Sequence, residues 1–137
     1  MDTILVGYDD TEASQRALAR AIELAKAFGA ELLVTSVAPI MEAAGRSAGP
    51  LDPTDMPEQH RAQLEHAQKQ ATDAGVSARL VLAIGHPGEV IVDVANENHV
   101  DMIVVGTREL GFYKRLLGQS TSEAVVHHAH CDVLIVH

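Results

Sequence analysis

The chemistry-bearing residues of this chain gather at a few points. The richest is segment 106–122, which holds Gly106, Gly111 and Gly118, and closes on Ser120, Thr121 and Ser122. Glycines let backbone N–H groups approach a phosphate closely, and a helix that opens on hydroxyl residues adds its positive end. Three of the ten basic residues, Arg108, Lys114 and Arg115, fall in the same segment. That pattern is suited to holding the phosphates of a small anion. It is equally the pattern of a surface loop that ends in an ordinary Ser/Thr cap. Two common nucleotide motifs are absent. No GxGxxG follows the first apolar run. Gly106 and Gly111 have the Walker spacing, but Phe112-Tyr113 stands where Lys-Ser/Thr is required. There is no GxSxG elbow either.

A second candidate is Tyr8 with the acidic pair Asp9 and Asp10. A carboxylate there could accept from an adenine amino group or a ribose hydroxyl, or hold Mg²⁺ through water. It could equally cap a helix, and one residue can do both. A phosphoacceptor pair would need a third Asp after strand 3 and a Lys after the last strand; Leu82-Ala83-Ile84 and the terminal His137 supply neither. A third cluster is His127, His128, His130 and Cys131. His127, His130 and Cys131 could share one helical face and bind zinc or copper. The structural reading is preferred, because His is favoured at a helix C-terminus and Cys131 leads into an apolar strand. His60, His66, His86 and His99 are dispersed and expected to face solvent, with His86 at the edge of the site. Met41 and Met56 could cover an apolar ligand face or pack locally.

These groups need elements to position them. Ile4-Leu5-Val6-Gly7 predicts a strand over 3–8, and Asp9-Asp10-Thr11-Glu12 a helix start. Ala17, Ala21, Leu24 and Phe28, with Leu18, Ile22 and Ala25, mark an amphipathic helix over 13–28 that Gly29 stops. Further strands are expected over 32–37, 78–84, 102–105 and 133–136, and helices over 58–74, 89–98 and 120–129. Segment 38–57 carries four prolines and two glycines without periodicity and reads as a long irregular connection, a candidate lid. Nearly unbroken aliphatic strands alternating with helices imply a parallel sheet. The fold class is therefore α/β: an open, doubly wound, five-stranded parallel sheet with helices on both faces. Sites in such folds lie beyond the carboxyl ends of the strands, where strand order reverses. Residues 8–11, 37–40, 84–88 and 106–111 all fall at that edge.

Composition narrows the function classes. At 137 residues and 47% apolar, the chain has the size and core of one domain, expected to span 1–137. Aromatics are only 3%, so the core must be aliphatic. A net charge of −9 repels DNA, RNA and anionic membranes, and neither is expected as a partner. No apolar run reaches the ~18–20 residues of a membrane helix. The opening Met1-Asp2-Thr3-Ile4 lacks a signal-peptide layout, and one cysteine excludes an internal disulfide. A cytoplasmic protein is expected.

Four segments together resemble the universal stress protein family, over essentially the whole chain. They are Ile4-Leu5-Val6-Gly7-Tyr8-Asp9-Asp10-Thr11-Glu12, Gly85-His86-Pro87-Gly88-Glu89-Val90-Ile91, Asp101-Met102-Ile103-Val104-Val105-Gly106-Thr107-Arg108, and Ser122-Glu123-Ala124-Val125-Val126-His127-His128-Ala129. The resemblance implies a Rossmann-like fold of the adenine nucleotide alpha-hydrolase kind, a role as a stress-response sensor or regulator, and a homodimer joined through the last strand, 133–136. It also implies a site for ATP or another adenine nucleotide, with Mg²⁺. Tyr8, Asp9, Asp10 and Val37 would line the adenine and ribose side. Gly106, Arg108, Gly118, Ser120, Thr121 and Ser122 would hold the phosphates. The family divides, however. ATP-binding members carry Gly-x2-Gly-x9-Gly-Ser/Thr; the other branch lacks it and is not thought to bind ATP. Laid on without gaps, this chain gives Gly106, Glu109, Gln119 and Ser120. A one-residue shift would bring Gly118 into the third place. The alternative is a dimeric interaction protein that does not bind ATP. Slow ATP hydrolysis is the most the residues would support, since none presents itself as a positioned base. Ser36 stands where the family often has His before the second-strand valine.

Overall fold

A computed structural model describes residues 1–38, 57–107 and 121–137. Five strands form one parallel sheet: β1 (Thr3–Gly7), β2 (Glu31–Ala38), β3 (Ala78–Ile84), β4 (Met102–Gly106) and β5 (Asp132–Val136), in the order β3-β2-β1-β4-β5. Four helices accompany them: α1 (Glu12–Phe28), α2 (Pro57–Asp73), α3 (Pro87–Glu97) and α4 (Thr121–His128). The expected elements are all present, with ends moved by one or two residues. β2 begins at Glu31 and ends at Ala38 because those residues pair with Thr3 and Ile84, beyond the apolar run. β1 stops at Gly7, although the Tyr8 N–H still donates to the Thr35 carbonyl at 2.9 Å.

Side chains alternate across the pleat, so each strand feeds two layers. Ile4, Val6, Leu32, Val34 and Val104 pack with Ala17, Leu18 and Ala21 of α1, and Leu64, Ala67 and Ala71 of α2. Leu5, Leu33, Ile103 and Val105 pack on the other face with Ile91, Val92, Val94 and Ala95 of α3 and Val125 of α4. The central residues of β1 and β4, Ile4–Val6 and Ile103–Val105, are aliphatic and buried, as strands covered on both faces require. Phe28, read as part of the buried stripe of α1, is 55% exposed instead. It is the last residue of the helix, just before Gly29 turns the chain at φ 65°.

The entry to β1 is held by one carboxylate. Asp101 accepts from the N–H groups of Asp2 at 2.7 Å and Thr3 at 3.0 Å, tying the start of β1 to the turn before β4. These backbone N–H bonds hold the Asp101 carboxyl below its ordinary value of 3.8. The native state therefore favours the ionised form. That stability is present above the ordinary carboxyl pKa and is lost as pH falls through the lowered native value. Asp101→Ala is expected to be less stable than the native chain at pH 7 in urea titrations, with the gap closing as pH falls well below 4.

Candidate functional site

Strand order reverses between β1 and β4: the chain leaves β1 towards β2 on one side, while β4 and β5 lie on the other. The crevice of a doubly wound sheet opens at the carboxyl ends of such a pair. Tyr8, Asp9 and Asp10 follow β1 there, and Gly106 ends β4. Val37 lies one strand over, near the end of β2.

The loop after β1 is internally bonded. Asp9 Oδ1 accepts from the Thr11 N–H at 3.1 Å and the Thr11 hydroxyl at 2.6 Å. Thr11 Oγ1 in turn accepts from the Ser14 N–H at 3.2 Å, capping α1. Ser14 Oγ accepts from the Asp9 N–H at 3.2 Å and donates to the Thr11 carbonyl at 3.0 Å. Helix capping, one of the two readings of the acidic pair, is thus realised by Asp9 acting through Thr11. The arrangement also fixes where the Asp9 carboxylate stands at the mouth of the crevice.

Asp10 is built differently. Its φ is 65°, in the left-handed region, where Asp is among the few side chains that settle without severe cost. Its carbonyl accepts from Gln15 Nε2 at 3.1 Å, and its Oδ1 stands 3.4 Å from His66 Nδ1 on α2. Both side chains of that pair are about half exposed, so the contact contributes little to stability. Tyr8 is buried at 3% exposure. Its hydroxyl has no hydrogen bond of proper geometry among the described residues. Burial first, then the nearby Asp10 carboxylate and the Asp9 charge, push the phenol well above its ordinary value of 10.

Gly106 has a structural duty. A Cβ there would lie 2.3 Å from the Ala13 carbonyl oxygen and 2.6 Å from its carbon, both backbone atoms of α1. The first turn of α1 rests directly on β4, and only glycine permits it. Val37 is half-buried on the face of α3 and α4, opposite Tyr8. Ser122 is buried in the first turn of α4, and Thr121 opens that helix. Arg108, Gly118 and Ser120 lie outside the described residues, as do Glu109, Lys114, Arg115 and Gln119, and Met41 and Met56. Of the expected set, Asp9, Asp10 and Gly106 thus lie at the carboxyl edge of β1 and β4, with Tyr8 buried in the core beside them.

One expectation is corrected. His60 does not face solvent. It is 5% exposed, and its Nδ1 hydrogen-bonds Ser36 Oγ on β2. The signal was in the sequence: Leu64, Ala67 and Ala71 are buried, and His60 sits one turn before Leu64 on the same stripe. His127 and His130 do not share a helical face, because α4 ends at His128. Burial, Asp132 and Asp101 push the Cys131 thiol up, away from the thiolate a metal needs. Among the described residues no three His, Cys, Asp or Glu side chains are grouped to hold a metal ion. No helix among them is long and apolar enough to cross a membrane.

Fold and crevice together define a small doubly wound α/β protein with a polar, acid-bearing edge at its switch point. The universal stress protein profile matches residues 1–137, and the chain belongs to that family. It is 36% identical over 140 residues to a universal stress protein of Thermus aquaticus, covering 98% of this chain and 97% of that one. It is 31% identical over 136 residues to one of Methanocaldococcus jannaschii, covering 97% and 80%. Among solved structures it is similar to a universal stress protein in complex with cAMP, with TM-score 0.78 and 28% identity over 99% of this chain and 97% of that one.

Two outcomes follow from the geometry. Gly106→Ala must push α1 off β4 and is expected to cost about 2 kcal/mol or more in urea unfolding. Native protein is expected to show Tyr8 ionising only as it unfolds in alkali, read by phenolate absorbance. The unfolded chain releases that proton from about pH 10 upward while the native state keeps it, so stability falls as pH rises there. In Tyr8→Phe both the late absorbance component and that part of the slope disappear.

Proposed function

We propose that this protein is a cytoplasmic, homodimeric stress-response regulator that binds an adenine nucleotide in the crevice between β1 and β4. The observation that carries this reading is the backbone at the end of β2. The Thr35 carbonyl accepts from the Tyr8 N–H, and β1 ends there. Val37, two residues on, turns its own N–H and carbonyl to the same side, past the end of β1. An adjacent donor and acceptor on a backbone complement the amino group and ring nitrogen of an adenine edge. Asp9, fixed by Thr11, stands where it can accept from a ribose hydroxyl. The similar protein crystallised with cAMP supports the same ligand class. Segment 106–122, with Arg108, Lys114 and Arg115, would meet the phosphate, and Mg²⁺ would accompany a polyphosphate. The homodimer reading draws on β5, which among the described residues pairs only with β4 and has Val133, Leu134 and Ile135 half-buried. Pairing a second copy there would cover a sheet edge.

The second reading is a dimeric regulator that binds no ATP, favoured by Glu109 and Gln119 in the places of two glycines. Calorimetric titration with cAMP, AMP and ATP, the last with and without Mg²⁺, separates them. Saturable heat with a Kd tighter than about 1 mM, or roughly −4 kcal/mol, is expected for at least one adenine ligand. No heat at millimolar concentrations of all three sinks the nucleotide reading. Glu109→Gly with Gln119→Gly is expected to strengthen ATP relative to AMP. If ATP binding does not improve, glycine loss is not what weakens it.

A further inference from the structure

β2 runs three residues beyond the point where β1 ends: Thr35 pairs with Gly7, while Ser36, Val37 and Ala38 pair only with β3. This overhang carries the Val37 backbone proposed to meet the base. Inside it, Ser36 is 1% exposed, one of a few polar side chains in a largely aliphatic core. A buried hydroxyl needs partners. Both come from the first two turns of α2: His60 Nδ1, and Gln63 Oε1 at 3.3 Å.

The protons limit how the three groups can be arranged. A serine hydroxyl has one proton. Given to Gln63, it leaves Ser36 Oγ to accept from the His60 Nδ1–H, and His60 Nε2 then carries a lone pair. That Nε2 is buried without a partner among the described residues, while the Tyr8 hydroxyl on the same sheet face stands near the Asp10 carboxylate. Tyr8 follows Gly7, the partner of Thr35, and therefore lies beside Ser36. The polar set of Ser36, His60 and Gln63 thus ties the end of β2 to the start of α2.

We propose that Ser36, His60 and Gln63 are positioning residues of the crevice: by fixing the Ser36 side chain from α2 they set the direction of the Val37 backbone that receives the ligand. The role rests on the nucleotide reading above for its ligand, but the positioning itself can be read without one. An apolar pair would hold α2 on the sheet equally well; only directional bonds fix the orientation of one residue of an overhanging strand.

The test uses Ser36→Ala, His60→Leu and the conservative His60→Asn, whose amide can stand near the place of Nδ1. Ser36→Ala and His60→Leu are each expected to weaken binding of whichever of cAMP, AMP or ATP the native chain takes, by about tenfold, as loss of one buried hydrogen bond implies. The double variant should be no weaker than the worse single one, and His60→Asn should stay within about threefold of native. Amide hydrogen exchange at Ser36 and Ala38, whose N–H groups turn towards β3, is the ligand-free measurement. It should speed up in Ser36→Ala and His60→Leu while β4 amides keep their protection. If His60→Leu fails to fold, Ser36→Ala and His60→Asn decide. Unchanged exchange at Ser36 and Ala38 in folded variants overturns the positioning role, whatever the ligand result. Faster exchange there without loss of affinity overturns its connection to the ligand. If the native chain binds no nucleotide, the function proposed above falls, and the exchange data still judge the positioning.

Discussion

The first turn of α1 lies so close to the end of β4 that Gly106 has no space for a methyl group. Much of the carboxyl edge follows from that contact. It brings the positive end of α1 over the switch point, where a doubly wound sheet opens its crevice. It also obliges the chain to turn from β1 into α1 within four residues, 8–11. So short a turn leaves little freedom, and Asp10 takes up the left-handed conformation that closes it. The Asp9–Thr11–Ser14 bonds then satisfy the N–H groups that a helix start leaves open. Site and packing are here one problem. A looser helix would relieve Gly106 and lose the position of Asp9.

Charge at this edge works in two directions. Asp9 and Asp10 stand at the crevice mouth, and the whole chain carries −9. The start of α1 brings the opposite sign to the same edge. A carboxylate suits the base and sugar, which offer donors, and opposes the phosphate, which offers only charge and acceptors. On the nucleotide reading proposed above, base and ribose would lie towards β1 and β2, with the phosphate turned away from these carboxylates.

Much of the fold was legible in the sequence because the strands are nearly pure aliphatic runs and each helix starts on a recognisable signal. Element ends were less so. Hydrogen-bond ladders extend to Glu31 and Ala38, where side-chain polarity says nothing about pairing. The site was legible in part. Asp9 and Thr11 announce a cap by type and spacing, and the structure gives them that work. The left-handed backbone at Asp10 has no signature, since Asp occupies ordinary conformations as readily. Gly106 was expected to serve a phosphate, yet its demand for glycine comes from Ala13, a residue ninety-three positions away that spacing cannot reveal. His60 was missed because a histidine in a polar helix reads as a surface residue. Projecting the stripe of Leu64, Ala67 and Ala71 back one turn would have buried it.

That buried histidine poses a physical question with a definite answer. Filling the space of Ser36 and His60 with apolar side chains would keep α2 on β2 and avoid desolvating three polar groups, a change that is often neutral or stabilising. Stability alone therefore does not explain the pair. Apolar contacts are indifferent to rotation about the contact, while a hydrogen bond constrains both partners in direction. Such a constraint matters little in the middle of a sheet, where ladders on both sides already hold each residue. It matters most where a strand has lost one neighbour, as β2 has beyond Thr35. The polar pair stands at the first residue past that point, which is where a directional restraint has the most left to fix.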